Sequence, residues 1–272
     1  MNKNIKSFYF STTDTTRKIV NGIAEKLAAN SRSKTVKNID FTLPDARKEP
    51  VSFTEHDLVV VGLPVYAGRV PNVLLKYLNA IRGNGALAIA VVVYGNRHYD
   101  DALIELRDIL ELKGLKVIAG GAFIGEHSFS KIIGMNRPDQ QDMSMVTEFA
   151  RQIYQKVTTQ NVFETIFVPG KQPYQAYYQP KDKDGNPISI QKVTPKTNSD
   201  CINCKLCVSL CPMGSIDADN VSKIKGICIK CCACIKKCLA QAKYFDDANY
   251  LWHKHELEVA FTFPRREPEL FL

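Results

Sequence analysis

All nine cysteines of this 272-residue chain lie between positions 201 and 238, and eight of them form a repeat. Cys201-x2-Cys204-x2-Cys207-x3-Cys211 is followed by Cys228-x2-Cys231-x2-Cys234-x3-Cys238, every member recurring 27 residues later. Thiols separated by two residues on a tight loop converge on one inorganic centre, and the amides of the loop turn toward it. Zinc is the rival occupant, because paired C-x2-C units also bind it. A zinc ion takes four ligands, however, and a third cysteine at the same spacing, twice over, leaves too many. The spacing is that of thiolate-held [4Fe–4S] clusters. Clusters also explain how so short a segment folds, since they substitute for a hydrophobic core too small to stand alone.

The repeat resembles that of the bacterial two-cluster ferredoxins, in which the fourth cysteine of each run serves the other cluster. The resemblance implies that Cys201, Cys204, Cys207 and Cys238 hold one [4Fe–4S] cluster, and that Cys228, Cys231, Cys234 and Cys211 hold the second. Cys232, next to a ligand, is expected to point away as an inert neighbour. The pattern departs from the ferredoxin one where Leu239, not proline, follows Cys238, while Pro212 follows Cys211.

The chain is 45% apolar and 24% charged, as an ordinary globular protein is, and its length suits about two domains. Its longest apolar run, 86–94, is far short of the ~20 residues of a membrane span. The first ten residues lack the layout of a secretory leader, so the expected location is the cytoplasm, where disulfides are disfavoured. The formal charge of +8 raises nucleic acid as a partner. No basic run interleaved with aromatics supports that, and none is expected. Two thiolate-bound clusters at about −2 each and one bound phosphate at about −2 would leave the holoprotein nearly neutral.

Before the cysteines, strand-like and helix-like segments alternate. Strands are expected over 5–10, 35–39, 57–62, 86–94 and 115–123, with near-continuous apolar runs at the third and fourth. Helical stripes appear at Ile19, Ile23 and Leu27, at Val73, Leu74 and Leu78, at Leu103, Leu106 and Leu110, and at Val146, Phe149 and Ile153. The alternation predicts an α/β fold with a doubly wound, five-stranded parallel sheet, whose ligand site lies at the carboxyl ends of the strands. Three loops fall there. Ser11, Thr12, Thr13, Thr15 and Thr16 crowd hydroxyls at a helix N-terminus, beyond what one cap requires and suited to a phosphate. Pro64, Val65, Tyr66, Ala67 and Gly68 follow the third strand; Tyr94, Gly95, Asn96, Arg97, Tyr99 and Asp100 follow the fourth. Aromatic residues beside glycine in such loops suit a flat ring. No G-x-G-x-x-G is present to indicate a dinucleotide.

These loops resemble those of flavodoxins. Residues 11–16 match the phosphate loop S-x-T-G-x-T with Asp14 in place of the glycine, and the other two match the flavin-flanking loops. With P-V-Y-x-G-R-x-P at 64–71, Y-G-N-R-x-Y-D-D-A at 94–102, G-A-F-I-G-E-H-S-F at 121–129, R-P-D at 137–139 and R-R-E-P-E-L-F at 265–271, the chain resembles the flavodoxin–ferredoxin fusion proteins of anaerobic bacteria over nearly its full length. The resemblance implies FMN beside two [4Fe–4S] clusters. Asp14 brings a negative charge toward the phosphate, which is expected to weaken FMN binding.

The expected organisation is a flavodoxin-like domain at 1–158, a proline-rich connector at 159–199, a small α+β ferredoxin-like domain at 200–247 and a C-terminal tail at 248–272 that packs on the domains. Tyr174, Tyr177 and Tyr178 need cover, so the connector is expected to wrap on the surface. The five histidines share no metal or triad spacing, although His98 and His127 follow strand ends on the ligand side. The leading expectation is an electron carrier exchanging electrons between FMN, two clusters and an external redox protein or reductase. The alternatives are a flavin-dependent reductase of a small substrate, for which Tyr66, Tyr99 and His98 are the candidate proton donors, and a ferredoxin with an empty flavodoxin-like docking domain.

Overall fold

The computed structural model describes residues 3–31 and 34–272; the first two residues of the expected 1–158 domain and of the leader reading lie outside the described residues. Strands β1 (Asn4–Tyr9), β2 (Val36–Asp40), β3 (Asp57–Pro64), β4 (Leu87–Tyr94) and β5 (Lys116–Ile124) pair in parallel in the order β2-β1-β3-β4-β5. That is the flavodoxin-like doubly wound order, which places a switch point between β1 and β3. All eight residues of β4 are buried, as a strand covered on both faces requires.

Successive side chains of the strands feed two cores. On one face Leu58, Val60, Ile89 and Val91 pack with Ile19, Ile23 and Leu27 of α1 (Thr15–Ala29) and Val146, Phe149 and Ile153 of α4 (Gln140–Thr159). On the other Val59, Val61, Ala88 and Ala90 pack with Leu103, Leu106 and Leu110 of α3 (Ala102–Leu112) and with Leu74 and Leu78. The second helical stripe forms only a 3-10 turn, Asn72–Leu74, running into the single-turn α2 (Leu75–Leu78).

Four short elements lie in and around the cysteine segment and one longer helix behind it: the two-residue strands β6 (Lys196–Thr197) and β7 (Lys243–Tyr244), which pair antiparallel, the single-turn helices α5 (Leu206–Ser209) and α6 (Ala233–Lys236), and α7 (Ala248–Phe261). A sixth strand, β8 (Glu269–Phe271), joins the main sheet antiparallel to β5. The sequence reading had five strands; β8 is too short to show periodicity, and it covers an edge that β5 would otherwise expose. Tail anchoring is specific. The Asn96 side-chain amide donates to the carbonyls of Phe261 and Pro264, and the Tyr99 hydroxyl donates to Glu269 at 2.7 Å.

The segment between α4 and β6 is extended and runs over the α/β half. Ile166 and Val168 are buried against Gly120 of β5, where an added Cβ would meet them at 3.1 and 3.2 Å. Tyr174 and Tyr177 lie over the Arg69 guanidinium at 4.7 and 5.0 Å, and Tyr178 over that of Arg97 at 4.9 Å. The guanidinium of Arg69 is itself held by both oxygens of the buried Glu105. Among the described residues no helix is long and apolar enough to cross a membrane.

Helix α1 lies directly on β3 because Gly62 has no side chain: a Cβ there would stand 2.1 Å from Val20 Cγ2 and 3.1 Å from Thr16 Cγ2. Gly62→Ala is therefore expected to cost about 1–3 kcal/mol through overpacking, read as a lower thermal midpoint of the holoprotein with its secondary structure retained.

Candidate redox centre

The cysteine segment folds as two half-turns with the same backbone. Positive φ recurs at the repeat offset: Asn203 (52°) and Lys230 (53°), Lys205 (59°) and Cys232 (60°), Gly214 (60°) and Gln241 (51°). The amides of Ser215 and Ala242, again 27 residues apart, each donate to a sulfur, Cys211 Sγ and Cys238 Sγ, at 3.3 Å. Two cavities result. One is lined by Cys201, Cys204, Cys207 and Cys238, with Cys234 also reaching its wall; the other by Cys211, Cys228, Cys231, Cys232 and Cys234. The fourth cysteine of each run thus lies with the first three of the other.

Burial pushes the Cys231 thiol up to about 11 and raises Cys207, Cys228 and Cys234 as well. Protein alone does not favour thiolates here; bound iron would. At least four sulfur donors per cavity, with an amide donating to one sulfur of each set, fit a thiolate-held iron–sulfur cluster. Among the described residues no three His, Cys, Asp or Glu side chains close to the spacing of a single ion. Cluster ligands sit on the corners of an inorganic cube, so they stand further apart. Cys232 lies 3% exposed, its sulfur donating to the Lys230 carbonyl at 3.4 Å and 3.7 Å from the Tyr250 hydroxyl. It occupies the repeat position of Lys205, not of a ligand.

The second part of the centre lies at the carboxyl ends of β1, β3, β4 and β5. A narrow cavity of about 100 Å³ is lined by Thr12, Thr13 and Thr15, by Pro64, Val65, Tyr66, Ala67 and Gly68, by Tyr94, Gly95, Arg97 and His98, and by Gly125, Glu126, His127 and Ser128. Thr13, Thr15 and Glu126 are shared with a groove of about 710 Å³ that continues past Arg17, Lys18, Lys236 and Lys237. The narrow part alone is smaller than an ordinary ligand pocket; with the groove it is large enough. Tyr66, Ala67, Gly68 and Arg69 make a reciprocal turn, Tyr66 and Arg69 exchanging both backbone hydrogen bonds at 3.0 and 3.1 Å, with positive φ at Ala67 and Gly68. Gly95 is needed because His127 lies against it: a Cβ there would come within 2.4 Å of the imidazole. Burial, then the nearby Lys236 ammonium, depresses the His127 pKa to about 3, so the ring is neutral, with Nδ1 accepting from the Phe129 amide at 3.2 Å.

The structure does not bring all the expected residues to this cavity. Ser11 spends its hydroxyl on the Arg17 amide at 3.0 Å, and Thr16 is buried against β3. Asn96 and Tyr99 turn to the C-terminal tail, and Asp100 pairs with Arg97 beside Gly68. Asp14 adopts φ 70°, the left-handed conformation that a glycine takes most readily, and its carboxylate is drawn to Arg17 at 3.3 Å and Lys237 at 2.7 Å. Its charge is thereby partly neutralised. The loop hydroxyls of Thr12, Thr13 and Thr15, the first-turn amides of α1 and a cavity walled by Tyr66 and Tyr94 fit a flavin with one phosphate.

Sequence reasoning missed how the two halves meet. Lys236 donates to Glu126 and to the carbonyls of His127 and Ser130; Lys237 pairs with Asp14; Arg47 donates to the Pro212 carbonyl. Glu126 and His127 lie in the 121–129 motif, which was the available signal, but lysines carry none. Alongside these contacts the Cys228–Cys234 loop packs against Thr12 and Tyr66 in the wall of the cavity. The Thr12 hydroxyl neighbours both the Tyr66 hydroxyl and the Cys231 sulfur. The Tyr66 hydroxyl is buried and, among the described residues, completes no hydrogen bond; burial and then the Cys231 sulfur raise its pKa.

Residues 147–251 match the model of the 4Fe-4S dicluster domain family. No curated protein matches the chain. Among solved structures, a flavodoxin from the domain Archaea is similar at 18% identity and a TM-score of 0.39, covering 56% of this chain and 97% of its own. A Fusobacterium nucleatum flavodoxin bound to flavin mononucleotide gives 18%, 0.39, 57% and 98% in the same terms. The rubredoxin oxygen:oxidoreductase of the anaerobe Desulfovibrio gigas gives 17%, 0.39, 58% and 37%. At that level of likeness the fold assignment rests on the strand order of the chain itself. The chain thus carries a flavodoxin-like α/β domain, by its strand order, followed by a domain that matches the 4Fe-4S dicluster family.

Proposed function

We propose that the chain is an electron carrier that holds one FMN and two [4Fe–4S] clusters and passes electrons between them and an external redox protein. The observation that carries the reading is the packing of the Cys231 loop on Thr12 and Tyr66, which sets one cysteine cavity against the ring-sized one. FMN supplies two-electron and each cluster one-electron chemistry, so two clusters divide what one flavin holds. The protein's part is placement. Thr13 and Thr15 with the α1 amides would hold the phosphate, Tyr66 and Tyr94 the ring, and Lys236, Lys237 and Arg47 fix the cluster segment across the cavity.

Anaerobically purified protein is expected to contain about eight iron and eight labile sulfide per chain. Cys211→Ser should damage the cluster served by Cys228, Cys231 and Cys234 and spare the other, whereas Cys232→Ser keeps full iron. Iron analysis and electron paramagnetic resonance on the two variants check both; a content near four iron in the parent chain, or stoichiometric zinc, sinks the assignment.

Asp14→Gly keeps the left-handed turn and removes a carboxylate from the phosphate loop, freeing Lys237 and Arg17. FMN affinity should rise by about 1 kcal/mol at this partly solvated site, measured by fluorescence titration of flavin-depleted protein. Unchanged affinity would mean that the two cations already neutralise Asp14.

The circuit itself is tested by reducing the FMN selectively in a stopped-flow instrument and following cluster bleaching at several protein concentrations. A rate independent of concentration is expected, because the connector and the Lys236 and Lys237 contacts fix the approach within one chain. A rate proportional to concentration would make the two halves separate carriers. A purified chain without flavin would leave the α/β domain as a docking module.

A further inference from the structure

The two cysteine runs share a backbone at an offset of 27 residues, so each position around one cluster cavity has a counterpart around the other. The counterparts differ in what covers them. Around the cavity of Cys228, Cys231 and Cys234, Ile229 packs on the core of the α/β half, Pro212 is buried with its carbonyl bound to Arg47, and Cys231 and Cys232 are 8% and 3% exposed. Their mates around the other cavity are Ile202, Leu239, Cys204 and Lys205. All four are exposed, Ile202 to 69% and Leu239 to 81%. One of two equivalent faces therefore docks on the chain's own α/β half, and its twin, with the same apolar chemistry, is left to solvent. Leu239, which breaks the cysteine-proline pattern, lies on the free face. The cavity behind that face is lined by Lys205, Lys237 and Lys243 and, among the described residues, by no Asp or Glu.

We propose that the face of Ile202, Cys204, Lys205 and Leu239 docks a separate one-electron carrier protein whose contact surface is apolar at its centre and acidic at its rim. The inference rests on the electron-carrier reading and names the partner's chemistry. The twin face already seats a protein surface with a ring-sized cavity, which argues for a protein rather than a lipid surface here. Isoleucine and leucine supply the desolvated centre, and the exposed Lys205 supplies charge complementarity and steering, Lys237 being paired with Asp14 and Lys243 buried. One electron crosses per encounter, the cluster losing it as the partner's centre gains it, or the reverse, and no bond or proton moves.

Holoprotein reduced directly with dithionite, then freed of excess reductant, is mixed in a stopped-flow instrument with oxidised rubredoxin as an acidic probe and with cytochrome c as a basic one. For the acidic probe the second-order rate constant should fall with ionic strength, and Lys205→Glu and Leu239→Asp should each lower it about tenfold. With the basic probe Lys205→Glu should raise it. Val259→Asp, at a position 70% exposed on α7, should change neither. Iron content and the flavin-to-cluster rate of each variant are measured beside these, so a failed circuit is told apart from a failed docking face. Rates unchanged in both face variants at full iron overturn the proposal, as does an equal loss in Val259→Asp. A dimer in sedimentation that Leu239→Asp dissolves would make a second copy the occupant, and binding to phosphatidylglycerol vesicles that Leu239→Asp abolishes would make it a membrane; either result overturns the proposal too.

Discussion

Thiols gathered at a shared, half-buried point repel one another as soon as they ionise, and burial opposes ionisation in the first place, as the raised Cys207, Cys231 and Cys234 show. A positive inorganic centre reverses both terms, and the rest of the cysteine segment is arranged around that need. Residues 200–247 hold two single-turn helices and one strand of a two-residue pair, and few of their apolar side chains are buried. Order there comes from crossed sulfur sites, left-handed residues that turn the loops, and amides directed at Cys211 and Cys238. The docking on the α/β half inherits its orientation from the same loops, because Lys236 lies on α6 with Cys234 and Lys237 caps that helix.

The α/β half was legible in the sequence almost element by element. Period and composition place β3 and β4, and the stripes on α1, α3 and α4 are the residues buried in the two cores. What local pattern did not carry is tertiary in origin. Strand β8 is three residues long and exists only because β5 presents an edge. Asn96 and Tyr99 look like ligand-loop residues from their neighbours in sequence, yet the C-terminal tail, more than 160 residues away, claims both side chains. The eight proposed cysteine ligands stand out in the sequence because metal spacing is a local property; their division between two cavities was expected there only through resemblance.

Repetition and divergence answer different constraints. Backbone torsions and sulfur contacts repeat, as two similar centres would require. Side chains diverge where the two surroundings differ. At the position preceding each short helix the buried half carries Cys232 and the exposed half Lys205, both at φ near 60°. A cysteine suits a dry site beside Tyr250; an ammonium suits water. Pro212, buried, and Leu239, exposed, divide in the same way.

The basic excess of the chain is explained by position better than by total. Lys243 is 3% exposed, and among the described residues its ammonium donates to the Thr197 hydroxyl at 2.7 Å and to the Val221 carbonyl, both neutral. A buried ammonium with only neutral partners is costly unless an anion lies close. The charged groups that Lys243 influences are Cys207 and Cys234, whose acidity it increases. Both are cluster ligands in the proposed assignment, and a thiolate-bound cluster carries net negative charge. A cluster filling the cavity beside Lys243 would supply that anion, and cluster loading would then stabilise the β6–β7 pair to which Lys243 belongs.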